Sequence, residues 1–176
     1  ERNVSDKPVG IRNRPLLGPA RIAKIRENYQ QRLESLLAVD EAVARIVAAL
    51  RSTGELDETL IVFTSDNGFF HGEHRVPSGK VLPYEPSIRV PLIMRGPGIP
   101  AGLRLTQRVA NIDLAPTIVD AAGATAGRVM DGRSLLAPGV RQELLIEGGK
   151  GEALPPAWEG LHTPDEVYVE YGTGDI

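Results

Sequence analysis

A continuous apolar run at 60–64 (Leu-Ile-Val-Phe-Thr) ends abruptly in the polar residues 65–68 (Ser-Asp-Asn-Gly). Apolar runs of β-branched and aromatic residues without polar alternation are typical of strands buried in a parallel sheet. Ahead of this run, apolar residues recur at helical spacing from about Ile22 to Arg51, and Gly54 supplies a stop signal. A long helix followed by a buried strand with a polar end indicates a layered α/β fold.

Further elements continue this order along the chain. We predict a second strand over 90–94, a helix over 114–122 with Asp113 as its N-cap, strands at 144–146 and 167–169, and a glycine- and proline-rich connector over 148–164. Residues 1–20 show no periodicity and predict a surface segment lying against something larger. In α/β sheets, polar sites gather beyond the carboxyl ends of the strands, which is where residues 65–68 lie.

Composition excludes several classes of protein. The chain has 176 residues, 41% of them hydrophobic, which is a globular composition rather than a disordered or fibrous one. Its zero cysteines exclude a disulfide framework and a thiol nucleophile within this chain. The net charge of −3 and the lack of a long apolar run lead us to expect no nucleic-acid partner and no membrane association. The missing initiator Met is interpreted as the mark of a fragment or a processed piece.

Two oxygen donors, the Asp66 carboxylate and the Asn67 amide, follow the first strand directly. Adjacent donors of this type suit a hard cation such as Ca²⁺ or Mg²⁺, although calcium takes about 6–8 oxygen ligands and the others would come from elsewhere. Asn67-Gly68 is also a common turn signal, and dipeptide statistics alone favour the turn.

Other polar residues near this cluster carry weaker signals. His71 and His74, three residues apart beside Glu73, resemble a transition-metal pattern, but the surrounding glycines and proline give no support for zinc. Lys80 follows a glycine in a long loop, where it either meets an anion as a point charge or is an ordinary surface lysine. His162 is expected to be solvated. Asp40, on the apolar stripe of the helix, is expected to bind a neighbouring backbone group or arginine.

Several segments together resemble the second half of the catalytic domain of type I (formylglycine-dependent) sulfatases, and in detail the N-acetylglucosamine-6-sulfatases. The resemblance runs from about residue 28 to 150. Its motifs, in chain order, are 36–41, 54–59, Thr64-Ser65-Asp66-Asn67-Gly68, Gly72-Glu73-His74-Arg75, Gly79-Lys80, Tyr84-Glu85, 88–92, 95–99, 111–118 and 130–136.

The resemblance implies an alkaline-phosphatase-like α/β/α sandwich of which only the C-terminal part is present. Residues 1–150 would be the C-terminal half of the catalytic domain, and residues 151–176 a connector and the start of a small C-terminal subdomain. Asp66 and Asn67 match the family's late pair of calcium ligands. Lys80 matches the lysine that binds a sulfate oxygen. His74 lies in a stretch at the edge of the site, where it would either face the substrate and join Lys80 as a catalytic residue or have a structural role.

The family's nucleophile is a formylglycine made from the Cys or Ser of a Cys/Ser-x-Pro-x-Arg motif. No cysteine occurs here, and no serine is followed by x-Pro-x-Arg. We therefore expect the formylglycine upstream of this chain, and we expect this chain alone to be inactive.

The leading hypothesis is a sulfatase acting on an aryl sulfate or a sulfated sugar, such as N-acetylglucosamine 6-sulfate, with the missing N-terminal half of its domain as partner. Two alternatives remain: a phosphate or phosphonate ester hydrolase of the same superfamily, and a non-catalytic sulfatase-like binding module. The arginine-rich composition favours a bacterial cytoplasmic or periplasmic protein over a lysosomal one. The stripe at 33–50 and the strand at 60–64 are expected to leave a large apolar face exposed.

Overall fold

The computed structural model describes residues 2–149, 157–172 and 174. Its helices are α1 (Val9–Arg12), α2 (Pro19–Thr53), α3 (Glu85–Ile88) and α4 (Leu114–Ala121), and its strands are β1 (Ile61–Thr64), β2 (Leu92–Arg95), β3 (Leu144–Gly148), β4 (Trp158–His162) and β5 (Val167–Tyr171). Short 3₁₀ turns lie at Leu56–Glu58, Glu73–Arg75 and Asn111–Asp113. Among these described helices, none is both long and apolar enough to span a lipid bilayer.

The long helix α2 confirms the helical periodicity and extends it to Pro19–Thr53. Pro19 occupies the first turn, where its missing N–H removes no helical hydrogen bond. Gly54 ends the helix with a φ of 79°, a left-handed conformation that glycine adopts without steric cost.

Most of the apolar stripe on α2 faces solvent. Leu36, Leu37 and Ile46 are each more than half exposed, and Ile25 is the buried residue of this helix. The predicted exposed apolar face is therefore confirmed. Asp40 is exposed on the same helix, and within the described part of the chain no hydrogen bond or ion pair gives it the predicted backbone or arginine partner.

Strands β1 and β2 pair in an antiparallel register, with Ile61 opposite Arg95 and Thr64 opposite Leu92. The two predicted strands exist, but the prediction of a parallel strand is wrong. The chain after β1 reverses through residues 65–91 and returns alongside it. The relative direction of the two strands therefore depends on this loop, whereas an apolar run in the sequence indicates only that a strand is buried. The burial itself is partial, because Phe63 is 39% exposed.

The second sheet is an antiparallel meander in the order β3-β4-β5. It confirms the predicted strands at 144–146 and 167–169, but the connector predicted over 148–164 is wrong because it contains β4. Trp158 is buried on β4, and its ring packs over Gly148, where a Cβ would lie 2.5 Å from the indole. The predicted domain boundary at 150/151 lies outside the described residues and stays a prediction, although β3 and β4 on its two sides are paired.

The main hydrophobic core lies between the N-terminal segment and the loop that follows β1. It comprises Val4, Ile11, Phe70, Val76 and Leu82, with Tyr84 packed against it. The Arg75 guanidinium fixes this arrangement by donating to the backbone carbonyls of Arg14, at 2.8 Å, and Arg2, at 2.6 Å. The segment predicted to lie against something larger thus packs on the chain's own loop.

Asp113 begins the 114–121 helix but does not cap it with its side chain. Its carboxylate is fully buried and points away from α4. It accepts two hydrogen bonds from Arg141, at 2.6 and 2.7 Å, and one each from the backbone N–H groups of Ala110 and Arg133. Asp113 therefore has the predicted N-cap position without a side-chain cap, because Arg141, the Arg133 N–H and the N–H of Ala110 in the preceding 3₁₀ turn take the carboxylate's lone pairs.

The Asp113 side chain remains ionised despite its burial. Burial alone would raise its pKa, but the hydrogen bonds from Arg141 and from the two backbone N–H groups outweigh this effect and hold the pKa below its ordinary value. The ion pair therefore links residues 110–114 to residues 133–141 across the sequence.

Asp113→Asn in the full-length protein should lower the free energy of unfolding by about 3–5 kcal/mol, because loss of one partner leaves the buried Arg141 charge uncompensated. Since the folded pKa of Asp113 is depressed, its contribution is complete above its unfolded-state pKa of about 3.9 and is lost as the pH falls towards the folded pKa. Urea unfolding across the acid range should thus show a shallower loss of stability for the variant. The exposed Asp131→Asn is the control, and equal unfolding midpoints for the two variants would contradict the prediction.

Candidate functional site

The polar residues after β1 are held in place by hydrogen bonds to their backbone carbonyls. Asn111 donates from Nδ2 to the carbonyls of Asp66, at 2.8 Å, and Ser65, at 3.3 Å. The Ser65 hydroxyl donates to the Asn67 carbonyl at 2.9 Å. The Asp66 side chain is 80% exposed, so its carboxylate is presented to solvent from a fixed backbone.

Lys80 meets both predicted metal-ligating residues. Its Nζ donates to Asn67 Oδ1 at 2.7 Å and lies 3.7 Å from Asp66 Oδ2. The structure thus brings together three of the four site residues predicted from the sequence. An ammonium beside a carboxylate and an amide oxygen shows that this pair attracts a cation, which agrees with the donor chemistry expected of a hard metal ion.

Gly68 explains why the Asp-Asn-Gly sequence takes this shape. Its N–H donates to the Ser87 carbonyl at 2.7 Å, and a Cβ at this position would lie 2.1 Å from the Pro86 carbonyl oxygen. The glycine therefore permits a close approach of two backbone segments, and the chain does not form the hairpin turn that dipeptide statistics favour.

The backbone on both sides of Lys80 is constrained. Gly79 accepts a hydrogen bond from the N–H of the fully buried Phe70, at 2.8 Å. Val81 has a φ of 87°, a strained conformation for a β-branched residue that costs on the order of 1–3 kcal/mol. Its N–H donates to the Ser87 hydroxyl at 3.1 Å, and its carbonyl accepts from the Trp158 indole at 2.8 Å.

The two neighbouring histidines point to different aromatic groups. His74, itself at a φ of 50°, packs its ring against Tyr84 with the centroids 4.4 Å apart, whereas His71 packs against Tyr29 at 4.9 Å. Burial lowers the pKa of His71, as does the nearby charge of Arg32. No group of three or more histidine, aspartate or glutamate side chains that could hold a metal occurs in the described ranges.

His162 is more constrained than the sequence suggests. Its Nδ1 lies 2.9 Å from Arg108 Nε and 3.1 Å from the Thr163 carbonyl oxygen, and its Nε2 lies 3.0 Å from Glu85 Oε1. The prediction of a solvated histidine is therefore wrong, because residues from α3 and the loop before α4 bind both ring nitrogens. A single sequence gives no signal for these contacts.

An open cleft lies beside the residues at the end of β1 and beside Lys80. Its volume of about 1910 Å³ exceeds the roughly 300–1,000 Å³ of typical small-molecule pockets. Its lining includes Asp66, Asn67 and Lys80 together with His162 and Trp158. His74 does not line the cleft, and its predicted substrate-facing role stays a prediction.

The chain matches a protein-family model described as Sulfatase over residues 2–124. The chain belongs to the sulfatase family. It is 47% identical over 109 residues to the human N-acetylglucosamine-6-sulfatase, an alignment that covers 61% of this chain and 20% of that protein. Among curated relatives of this kind, the chain therefore spans about a fifth of the whole length.

Solved structures of relatives show the same fold. The protein BT4656, solved in complex with its substrate D-glucosamine-2-N,6-O-disulfate, superimposes with a TM-score of 0.80 at 34% identity, over 89% of this chain and 34% of that chain. A phosphonate monoester hydrolase from Silicibacter pomeroyi superimposes with a TM-score of 0.61 at 30% identity, over 78% and 33%. The predicted fold class, part of an alkaline-phosphatase-like α/β/α sandwich, is confirmed.

Gly68→Ala should destabilise the full-length sulfatase by about 1–3 kcal/mol, as overpacking of a close contact does, because the new methyl group would displace the Pro86 carbonyl. Urea unfolding measures the effect. Gly127→Ala is the matched control, since a Cβ there meets open space. A change no larger for Gly68→Ala than for the control would show that the close approach is not required.

Proposed function

We propose that this chain is part of a sulfatase that hydrolyses sulfate monoesters, and that the 6-sulfate of an N-acetylglucosamine unit is its substrate. The observation that carries the proposal is the meeting of Lys80 with the Asp66 and Asn67 oxygens at the end of β1. Similarity to the human N-acetylglucosamine-6-sulfatase supports the substrate class.

The Asp66 carboxylate and the Asn67 amide oxygen would hold Ca²⁺, with Mg²⁺ as the alternative. The fit rests on the donor set, which offers hard oxygens alone and already attracts the Lys80 ammonium. Two side chains supply a minority of the ligands that calcium needs, so segments outside this chain would supply the rest. When bound, the metal neutralises negative charge on the sulfate oxygens.

Lys80 would bind a sulfate oxygen and oppose the charge that develops as the S–O bond to the sugar lengthens. Its side chain is about half exposed to the cleft, so the ammonium can leave Asn67 for a substrate anion without a change in the backbone. The nucleophile, a formylglycine in this proposal, would come from the part of the protein that precedes residue 1.

A second candidate function is the hydrolysis of phosphate or phosphonate esters. The similarity to the phosphonate monoester hydrolase favours it, because its chain shares this fold. Parallel assays of the full-length protein with an aryl sulfate and an aryl phosphate distinguish the two candidates by the ratio of their kcat/KM values. Activity on neither ester would favour the non-catalytic binding module.

Lys80→Ala in the full-length protein should lower kcat for an aryl sulfate by roughly 10²–10³-fold, as the loss of one oxyanion-binding donor does. Steady-state kinetics measure this change. Lys24→Ala is the control, because Lys24 pairs with Glu27 on the exposed surface of α2. An unchanged kcat in Lys80→Ala would remove this lysine from the site.

Asp66→Ala should weaken calcium binding strongly, and Asn111→Ala should weaken it by about 10–100-fold, the usual effect of losing a group that orients a ligand. Asn111 holds the backbone of Asp66 but offers no oxygen to the metal in this proposal. Isothermal titration of the metal-stripped full-length protein with Ca²⁺ measures both affinities, and Asp131→Ala is the control. Unchanged affinity in Asp66→Ala would reject this residue as a ligand.

A further inference from the structure

The residue that follows Lys80 is held in a conformation that it would not adopt by itself. Val81 has a φ of 87°, and its side chain is about half exposed, so packing does not compensate for the strain. Strained residues persist where surrounding groups fix them, and they occur often at functional sites.

Two buried side chains provide this restraint. The Ser87 hydroxyl, 3.1 Å away, accepts the Val81 N–H, and the Trp158 indole N–H, 2.8 Å away, donates to the Val81 carbonyl. Both residues are only 5% exposed. Both polar groups of the Val81 peptide backbone are thus satisfied by partners that cannot move independently of the fold.

Trp158 in turn is fixed by the second sheet. Its ring lies over Gly148 on the paired strand β3, at a place where a Cβ would approach the indole to 2.5 Å. The Trp158 indole N–H therefore links the meander formed by β3, β4 and β5 to the backbone beside Lys80. On the other side of Lys80, the Phe70 hydrogen bond to Gly79 holds the preceding residue.

We propose that Trp158 and Ser87 are positioning residues, which clamp the strained Val81 backbone and thereby hold the Lys80 ammonium beside Asp66 and Asn67. The inference rests on the proposed function, because it gives Lys80 the task of binding the substrate anion. It assigns to the C-terminal sheet a role in placing that cation, since a misplacement of about 1 Å is enough to slow an enzymatic step.

The test uses Trp158→Phe in the full-length protein, which keeps an aromatic ring over Gly148 and removes the N–H donor. We expect kcat for an aryl sulfate to fall about tenfold while KM changes less than about threefold, because a displaced ammonium still attracts the anion but stabilises the transition state less well. Tyr168→Phe, an exposed tyrosine on β5 of the same sheet, is the control and should leave both constants unchanged.

A double-mutant cycle separates positioning from general destabilisation. In the Lys80→Ala background, Trp158→Phe should change kcat by less than about twofold, because the group that it positions is gone. Equal fold-changes in both backgrounds would overturn the proposal. Val81→Gly should restore most of the kcat lost in Trp158→Phe, since glycine adopts a positive φ without strain, and a lack of rescue would also count against it.

Hydrogen exchange at the Val81 amide tests, independently of activity, whether Ser87 and Trp158 hold the Val81 backbone. Exchange should be faster in Ser87→Ala and in Trp158→Phe than in the wild type, and unchanged rates would overturn the clamp. If the wild type hydrolyses no sulfate ester, the proposed function fails and with it the assigned task of Lys80, whereas the exchange result still shows whether the two residues fix the loop.

Discussion

The buried ion pair between Asp113 and Arg141 is the interaction on which the arrangement of the site depends. A carboxylate with no exposed surface is costly unless its lone pairs are filled, and here four hydrogen bonds fill them. These donors come from residues 110, 133 and 141. The hydrogen bonds to the Asp113 carboxylate therefore hold three segments of the chain together. Asn111 lies between Ala110 and Asp113, and its amide group binds the carbonyls of residues 65 and 66. The buried ion pair thus fixes the segment that contains Asn111, and Asn111 in turn holds the backbone of the proposed calcium ligands.

A second restraint acts on the cation. The residues before and after Lys80 each form backbone hydrogen bonds with buried groups, so its half-exposed side chain extends from a fixed backbone. The backbone atoms of this loop are therefore fixed, whereas the charged atoms at the ends of the side chains can move. The backbone is held by the core and by the second sheet, whereas the Asp66 carboxylate and the Lys80 ammonium remain exposed to the cleft. This division suits the proposed function, in which the Lys80 ammonium would leave Asn67 for a substrate anion while the loop backbone stays fixed.

Local signals in the sequence predicted the features that depend on near neighbours. The C-terminal end of α2 follows from Gly54, whereas its start at Pro19 lies three residues before the predicted one. The Asp66-Asn67 donor pair is read from two adjacent residues at the end of β1. Features that depend on distant partners could not be predicted in this way. The antiparallel direction of β1 relative to β2 depends on a loop that returns residue 92 to residue 64. Strand β4 was not predicted because Gly160 interrupts its apolar pattern. The Trp158 contact with Val81 joins residues 77 positions apart, and no periodicity encodes it.

Three features of the chain share one physical explanation. The apolar stripe of α2 faces solvent at Leu36, Leu37 and Ile46, the cleft is several times larger than a small ligand needs, and the oxygen donors at the end of β1 are too few for a calcium ion. An apolar face, an open cleft and an incomplete ligand set would each be completed by further protein packed against the chain. The chain aligns with about a third of the solved relatives' length, so such protein is present in the family. Under the proposed function, the site would be one half of a catalytic centre, to which this half contributes a restrained cation and two hard oxygen donors.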